Sequence, residues 1–264
     1  GLIPLLHIWL NHDATENARL GYLFGMTHNM VAFYWIGFNS GASFWVVLLS
    51  LIAAVLYLGI YWAAAGWVFG HVKSNRNGLV LFPFLIVSME WIRSFGALGF
   101  PWGNLVLTQV DYLPMIQIME VTGSYGVTLW IVLLNVILYL LFQNYNLNKK
   151  LGLFYLILLL GIWFFGNSRV NDFTESSSQM SVGILQPNLD PNTKWDYDKK
   201  KEIIAYMDSL HSVAIALDPD IILFPETALP AYLKLNHRVR KMIQTKVDSS
   251  GIPVLTGTID RIKS

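Results

Sequence analysis

The sequence predicts a polytopic α-helical membrane bundle followed by an α/β domain, and three observations carry that prediction. Of 264 residues, 54% are hydrophobic and only 13% are charged, about half the charge of an ordinary soluble domain. The charge is unevenly spread, because residues 1–168 hold 11 of the 35 Asp, Glu, Lys and Arg residues. Near residue 170 the pattern also changes, from long apolar runs to short apolar runs alternating with amphipathic ones. Two regions built for two solvents are expected, with a boundary in the polar stretch 169–179.

Residues 1–10, "GLIPLLHIWL", read as the end of an earlier span. Residues 20–72 contain no Asp, Glu, Lys or Arg, and Asn39, Ser40 and Gly41 divide them. A bilayer core takes roughly 20 apolar residues per helix, which places spans at about 18–38 and 43–70. Further spans are expected at about 79–95, 122–143 and 151–167. The intervening 96–121 is rich in glycine and proline and suits a loop with a short interfacial or re-entrant piece, backbone that must be buried in protein or wetted.

Basic residues orient the bundle, since Lys and Arg concentrate in short cytoplasmic loops. The connections 71–78 and 144–150 hold Lys73, Arg76, Lys149 and Lys150, whereas 39–42 and 96–121 hold no Lys or Arg. Alternation then puts everything after the span ending near 167 on the non-cytoplasmic side.

In the hydrophilic region, "MSVGILQ" reads as a strand. Residues 197–217 read as a helix with Ile203, Ile204, Met207, Leu210, Val213, Ala214 and Leu217 on one side. "IILF" follows as a buried strand, then a helix at about 232–247 and a strand at 252–258. This β-α-β-α-β order indicates a largely parallel sheet.

Several chemistries are excluded for these residues. The net charge of +1 and the absence of any basic run longer than Lys199–Lys201 give no reason to expect nucleic acid. With no cysteine, there is no disulfide, cysteine-ligated metal or thiol nucleophile. The six histidines show no metal-ligand spacing. No metal and no cofactor are predicted.

The candidate site begins at "IILFPETALP". Glu226 follows a strand, at the carboxyl end of a sheet where α/β folds place their sites. Pro225 restrains the turn and Pro230 limits how the chain continues. A carboxylate held there has the position of a general base; the plainer alternative is a surface turn residue. Trp195 in "TKWD" suits a boundary between water and apolar surroundings, or packs at a helix start that Thr193 or Asp196 caps. Phe100 and Trp102 in "GFPW" suit a membrane border. Glu90 and Arg93, three apart within the third span, are expected to form a structural ion pair, although charges at membrane depth are often functional.

"LQPNLDPNTKWD" and "ILFPETALP", behind a bundle containing "MEWIRSFGALGFPWGNL", together resemble the apolipoprotein N-acyltransferases of bacterial envelopes. The resemblance runs over nearly the whole chain, although a P-E-x-x-x-P turn alone is common among carbon–nitrogen hydrolases. It implies a nitrilase-like α-β-β-α sandwich at 180–264 and a multi-pass location in the bacterial inner membrane, with the hydrophilic domain on the periplasmic side. It also implies a Glu-Lys-Cys triad that takes an acyl chain from a phospholipid as a thioester and passes it to the N-terminal amine of a diacylglyceryl apolipoprotein. Glu226 matches the glutamate of that triad. Trp195 matches a tryptophan near the lipid-facing side of the site, and the 99–102 segment matches one that helps to admit lipid.

The lysine and cysteine belong to motifs beyond residue 264. A chain that starts inside an apolar segment and stops after a strand is expected to be a fragment, inactive alone; a degenerate relative is the alternative. A membrane-bound nitrilase-like amidase would use the same Glu226. A permease or scaffold carrying an α/β domain would instead show broken helices in matching halves, and none is visible.

Overall fold

The structure, a computed structural model, describes residues 1–39, 42–73, 78–143, 149–173, 179–189, 198–226 and 228–258. It divides into two compact units, Gly1–Thr174 and Glu175–Ser264.

The first unit is helical. Helix α1 (Ile3–Asn11) starts with Pro4 in its first turn, where a missing amide costs nothing. Helix α2 (Ala14–Phe33) is N-capped by Asp13, whose carboxylate accepts from the Glu16 amide at 2.9 Å, and it runs into a 3₁₀ turn over Tyr34–Phe38. Then come α3 (Phe44–Val72) and α4 (Gly78–Arg93), a 3₁₀ turn at Leu105–Gln109 and the short α5 (Leu113–Ile116). Helices α6 (Met119–Gln143) and α7 (Lys149–Asn171) complete the unit.

Three described helices, α3, α6 and α7, are long and apolar enough to cross a membrane. The other two expected spans differ. Helix α4 has 16 residues, about 24 Å of rise, less than a hydrocarbon core of roughly 30 Å. Helix α2 begins four residues before the expected start and buries Asn17 and Asn29. Asn17 spends its side-chain amide on the Trp9 carbonyl at 2.8 Å, so its polarity is used inside the protein. Gly123, at φ 68°, interrupts α6, and the continuous apolar helix starts after it, close to the expected 122.

Two apolar clusters organise this unit. One joins α1, α3, α4 and α6 through Leu6, Trp9, Trp62, Phe69, Phe82, Ile86 and Val132, with Trp9, Phe69 and Phe82 in mutual ring contact at centroid separations of 5.5–6.0 Å. Lys73 closes its end, donating from Nζ to the carbonyls of Trp9 at 2.9 Å, Leu10 at 3.1 Å and His12. A cation thereby satisfies carbonyls that the end of α1 leaves open. The other cluster gathers Val106, Val127, Trp130, Leu134 and Ile162.

Within the 96–121 stretch, expected to be a loop with a short interfacial or re-entrant piece, α5 is folded against α7. At Gly166 the backbones approach so closely that a Cβ would overlap the Pro114 carbonyl oxygen. Nearby, the Trp163 indole donates to the Tyr112 hydroxyl at 2.8 Å, and Arg169 grips the Glu120 carboxylate with two nitrogens.

The second unit contains β1 (Val182–Ile184), α8 (Lys200–Ile215), β2 (Ile221–Phe224), α9 (His237–Ser250) and β3 (Val254–Thr256). The strands are parallel in the order β1-β2-β3, with Gly183 opposite Ile222 and Leu223 opposite Leu255. The alternation of strands and helices predicts the parallel pairing, though not which strands are neighbours. Helix α9 starts five residues later than the periodicity predicts, because Asn236 supplies its N-cap, accepting from the Val239 amide at 3.1 Å. The core comprises Leu185, Met207, Ile222, Phe224, Leu229, Val239 and Ile252. Lys246 ties α9 to α8, meeting the Asp208 carboxylate at 2.6 Å and the Ser212 hydroxyl at 2.6 Å.

Candidate functional site

In a parallel sheet every strand delivers its carboxyl end to the same edge, and side chains following the strands can converge there. Strand β2 ends at Phe224, which is buried, and Glu226 comes two residues later on the exposed rim. The Ala228 amide donates to the Pro225 carbonyl at 3.1 Å, closing the turn that carries the carboxylate. Ala228 and Leu229 then plunge into the core, at 1% and 4% exposure. The acid is thus flanked by buried chain on both sides, Phe224 before it and Ala228 after it.

Glu226 lines a cleft of about 230 Å³ together with Pro225, Ala228 and a segment following β1, Leu185 to Leu189. Gln186 and Asn188 are the other polar residues that line it. Asn188 has φ 48°, a left-handed conformation that asparagine tolerates better than most residues. The third strand contributes Gly257, whose missing Cβ would stand 3.3 Å from the Cα and Cγ of Glu226. All three strands therefore shape the surroundings of one carboxylate.

In the helical unit, Phe100 and Trp102 lie together on the loop after α4. Their rings meet edge to face at 5.4 Å, Phe100 packs on Phe33 at 4.9 Å, and Trp102 lies 5.7 Å from Trp35. Trp102 and Trp35 are about half exposed, at 55% and 48%.

Glu90 and Arg93 are buried to 1% exposure, but they do not form the direct ion pair expected from their spacing. Each reaches past the other. The Glu90 carboxylate accepts from the Thr128 hydroxyl and the Leu105 amide, both at 2.7 Å, and Arg93 donates to the Asn104 side-chain oxygen at 2.7 Å. Buried charges need hydrogen bonds: the loop and α6 supply two donors to Glu90 and the loop one acceptor to Arg93, whose Nε has no hydrogen-bond partner among the described residues.

Trp195 lies outside the described residues. Sequence reasoning did not single out Gln186, Asn188 and Gly257 at the cleft, or Trp35, Asn104 and Thr128 around the loop. The first two stand in the "LQPN" segment that carried the resemblance. The others give no local signal, because contacts across 11 to 67 residues define them. Among the described residues no cluster of His, Asp and Glu is arranged to hold a metal ion.

Residues 1–137 match the family model described as the apolipoprotein N-acyltransferase N-terminal domain. A protein from Geobacter metallireducens named apolipoprotein N-acyltransferase is 30% identical over 253 residues, covering 91% of this chain and 48% of that protein. Proteins of the same name from Methylococcus capsulatus and Chlorobaculum tepidum are 29% and 26% identical, over 97% and 99% of this chain and 52% and 50% of theirs. The chain thus spans about half the length of these relatives. With more than half of its residues covered by the family model, the chain belongs to the apolipoprotein N-acyltransferase family.

Proposed function

We propose that these residues supply the membrane bundle and the glutamate-bearing half of the site of an apolipoprotein N-acyltransferase, an enzyme of the bacterial inner membrane. The observation that carries the reading is Glu226 on the wall of a cleft at the carboxyl edge of a parallel sheet. In this reading 180–264 forms part of a nitrilase-like sandwich on the periplasmic side, and a lysine and a cysteine from outside these residues complete the site. The basic loops 71–78 and 144–150 support that orientation.

The chemistry is two acyl transfers through one sulfur. Glu226 takes the thiol proton as the sulfur attacks the ester carbonyl of a phospholipid. The tetrahedral intermediate collapses to a thioester, and Glu226 returns the proton to the departing lysophospholipid alkoxide. The amine of a diacylglyceryl apolipoprotein then attacks the thioester. Glu226 accepts the amine proton and the thiolate leaves, to be reprotonated as the amide forms. Both substrates keep their acyl chains in the bilayer, so a membrane-anchored site spares them transfer through water. Phe100, Trp102 and Trp195 would contact the lipid donor, while Pro225 holds the turn under the reacting groups.

The test uses the full-length protein in phospholipid nanodiscs, with the acyl-enzyme trapped by acid quench. Glu226→Gln should lower the rate of thioester formation by about 10²–10⁴, the range for removing a general base; undiminished trapping would take Glu226 out of the mechanism. For orientation, a protease added outside intact spheroplasts should cleave within 190–260, and protection there would reverse the assigned sidedness.

A further inference from the structure

Tryptophans elsewhere on the bundle's surface, such as Trp45 and Trp91, stand exposed on regular helices and need nothing beyond the helix to hold them. Trp102 is different. It sits on a loop, and that loop is gripped at both ends by buried polar groups. At one end the Phe100 amide donates to the Arg93 carbonyl at 2.8 Å. At the other, Asn104 accepts from Arg93 and the Leu105 amide donates to Glu90, both at 2.7 Å. Thr128 on α6 completes the Glu90 carboxylate at 2.7 Å, and Ser94 links by its hydroxyl to that of Tyr125 at 3.1 Å.

Only Pro101, Trp102 and Gly103 lie between the two grips. Pro101 fixes its own φ. Gly103 adopts φ 81°, and a Cβ there would lie 2.5 Å from the Phe33 ring, so any larger residue would lift the loop off α2. Burying a carboxylate and a guanidinium costs several kcal/mol per ion before compensation, and apolar side chains would pack helices α4 and α6 at less cost. What the charges add is direction: hydrogen bonds of fixed geometry that set where the loop runs.

We propose that Glu90, Arg93, Asn104 and Thr128 form a preset clamp that holds Trp102 beside Trp35 as a rigid aromatic platform for the phospholipid donor. They are positioning residues, acting through Trp102. The inference rests on the proposed acyl transfer and adds Trp35 to the surface that the donor meets. Rigid aromatic groups give contact area at little cost in side-chain entropy.

Two readouts test it on the full-length protein. The first is the dependence of thioester formation on phosphatidylethanolamine in mixed micelles. Thr128→Val and Asn104→Ala should raise the half-saturating lipid concentration by roughly 5–10-fold and leave the maximal rate within about twofold, as expected when ground-state and transition-state contacts are lost together. Thr128→Ser, which keeps the hydroxyl, should restore the parent value. The second readout needs no activity: hydrogen exchange of the peptide spanning 94–105 should accelerate in Thr128→Val and Asn104→Ala, with α3 and α7 unchanged.

Unchanged exchange in that peptide, or acceleration spread over all helices, overturns the clamp. So does a fall in maximal rate at constant half-saturation, which would mark a general structural role. If Trp102→Ala raises the half-saturating concentration while the clamp variants do not, the clamp fails and lipid contact by Trp102 stands. If the parent protein forms no thioester but the exchange results hold, acyl transfer fails while the mechanical part of the clamp survives.

Discussion

Two glutamates, one in each unit, show how the same side chain serves opposite ends. Glu90 is sealed from solvent and both of its oxygens are occupied by fixed donors. Glu226 is exposed on the wall of a cleft large enough for several atoms of a substrate. A carboxylate that is sealed from solvent and hydrogen-bonded at both oxygens cannot collect a proton from a substrate without breaking the structure that holds it. One exposed at a cleft is open to a substrate, and that accessibility is what the proposed role of Glu226 requires.

The sharpest way to break that comparison is to exchange the outcomes. Glu90→Ala should lower the unfolding free energy by about 2–6 kcal/mol, because it leaves the Leu105 amide and the Thr128 hydroxyl buried without their acceptor, as measured by denaturant titration in detergent. Glu226→Gln should leave stability within about 0.5 kcal/mol while abolishing most acylation. If Glu226→Gln unfolds the protein, or Glu90→Ala leaves stability untouched, the division of labour is wrong.

A second test asks whether the helical unit tolerates change where it is tightest. Gly166→Ala puts a methyl group into the Pro114 carbonyl and should cost about 1–3 kcal/mol of stability, the usual penalty of overpacking. A neutral result would mean that the 113–116 segment yields freely.

In the α/β unit the effects are smaller. Removing the cap of α9 with Asn236→Ala should cost about 1 kcal/mol, seen as a lower denaturation midpoint, with Asn236→Asp retaining most of it.

The smallest expected effect is a pH dependence. His211 is buried against Phe224, ring centroids 5.2 Å apart, with neither ring nitrogen hydrogen-bonded among the described residues. Burial holds its pKa below the ordinary value, Lys246 adds to the lowering, and Asp208 opposes it. The fold favours the neutral ring, so the unfolded chain binds the proton more readily. This stability should be fully present above about pH 6.5, the unfolded value, and lost as pH falls through the lower folded value. Denaturation midpoints at pH 8 and pH 5 should differ more in the parent than in His211→Phe.

How much of this was legible in the sequence depended on whether a feature was local. Strands β1 to β3 and their helices were readable because each carries its own periodicity and turn residues, and Glu226 could be placed from "IILFPE" alone. The long apolar runs of α3, α6 and α7 were equally plain. The extent of α2 was not, since Asn17 and Asn29 look like breaks in a lipid-facing helix until their burial against neighbours is known. The partners of Glu90 were also hidden. A spacing of three suggests a pair on one helix, and nothing local announces that Leu105 and Thr128 will arrive first.

Gly166 carries a consequence for engineering. Where any side chain there would begin, another strand of the same polypeptide already has its carbonyl. A chimera that imports the last helix of the bundle from a relative with a larger residue at that position must therefore import the 113–116 segment with it. The two pieces form a single cassette, although about fifty residues of sequence separate them.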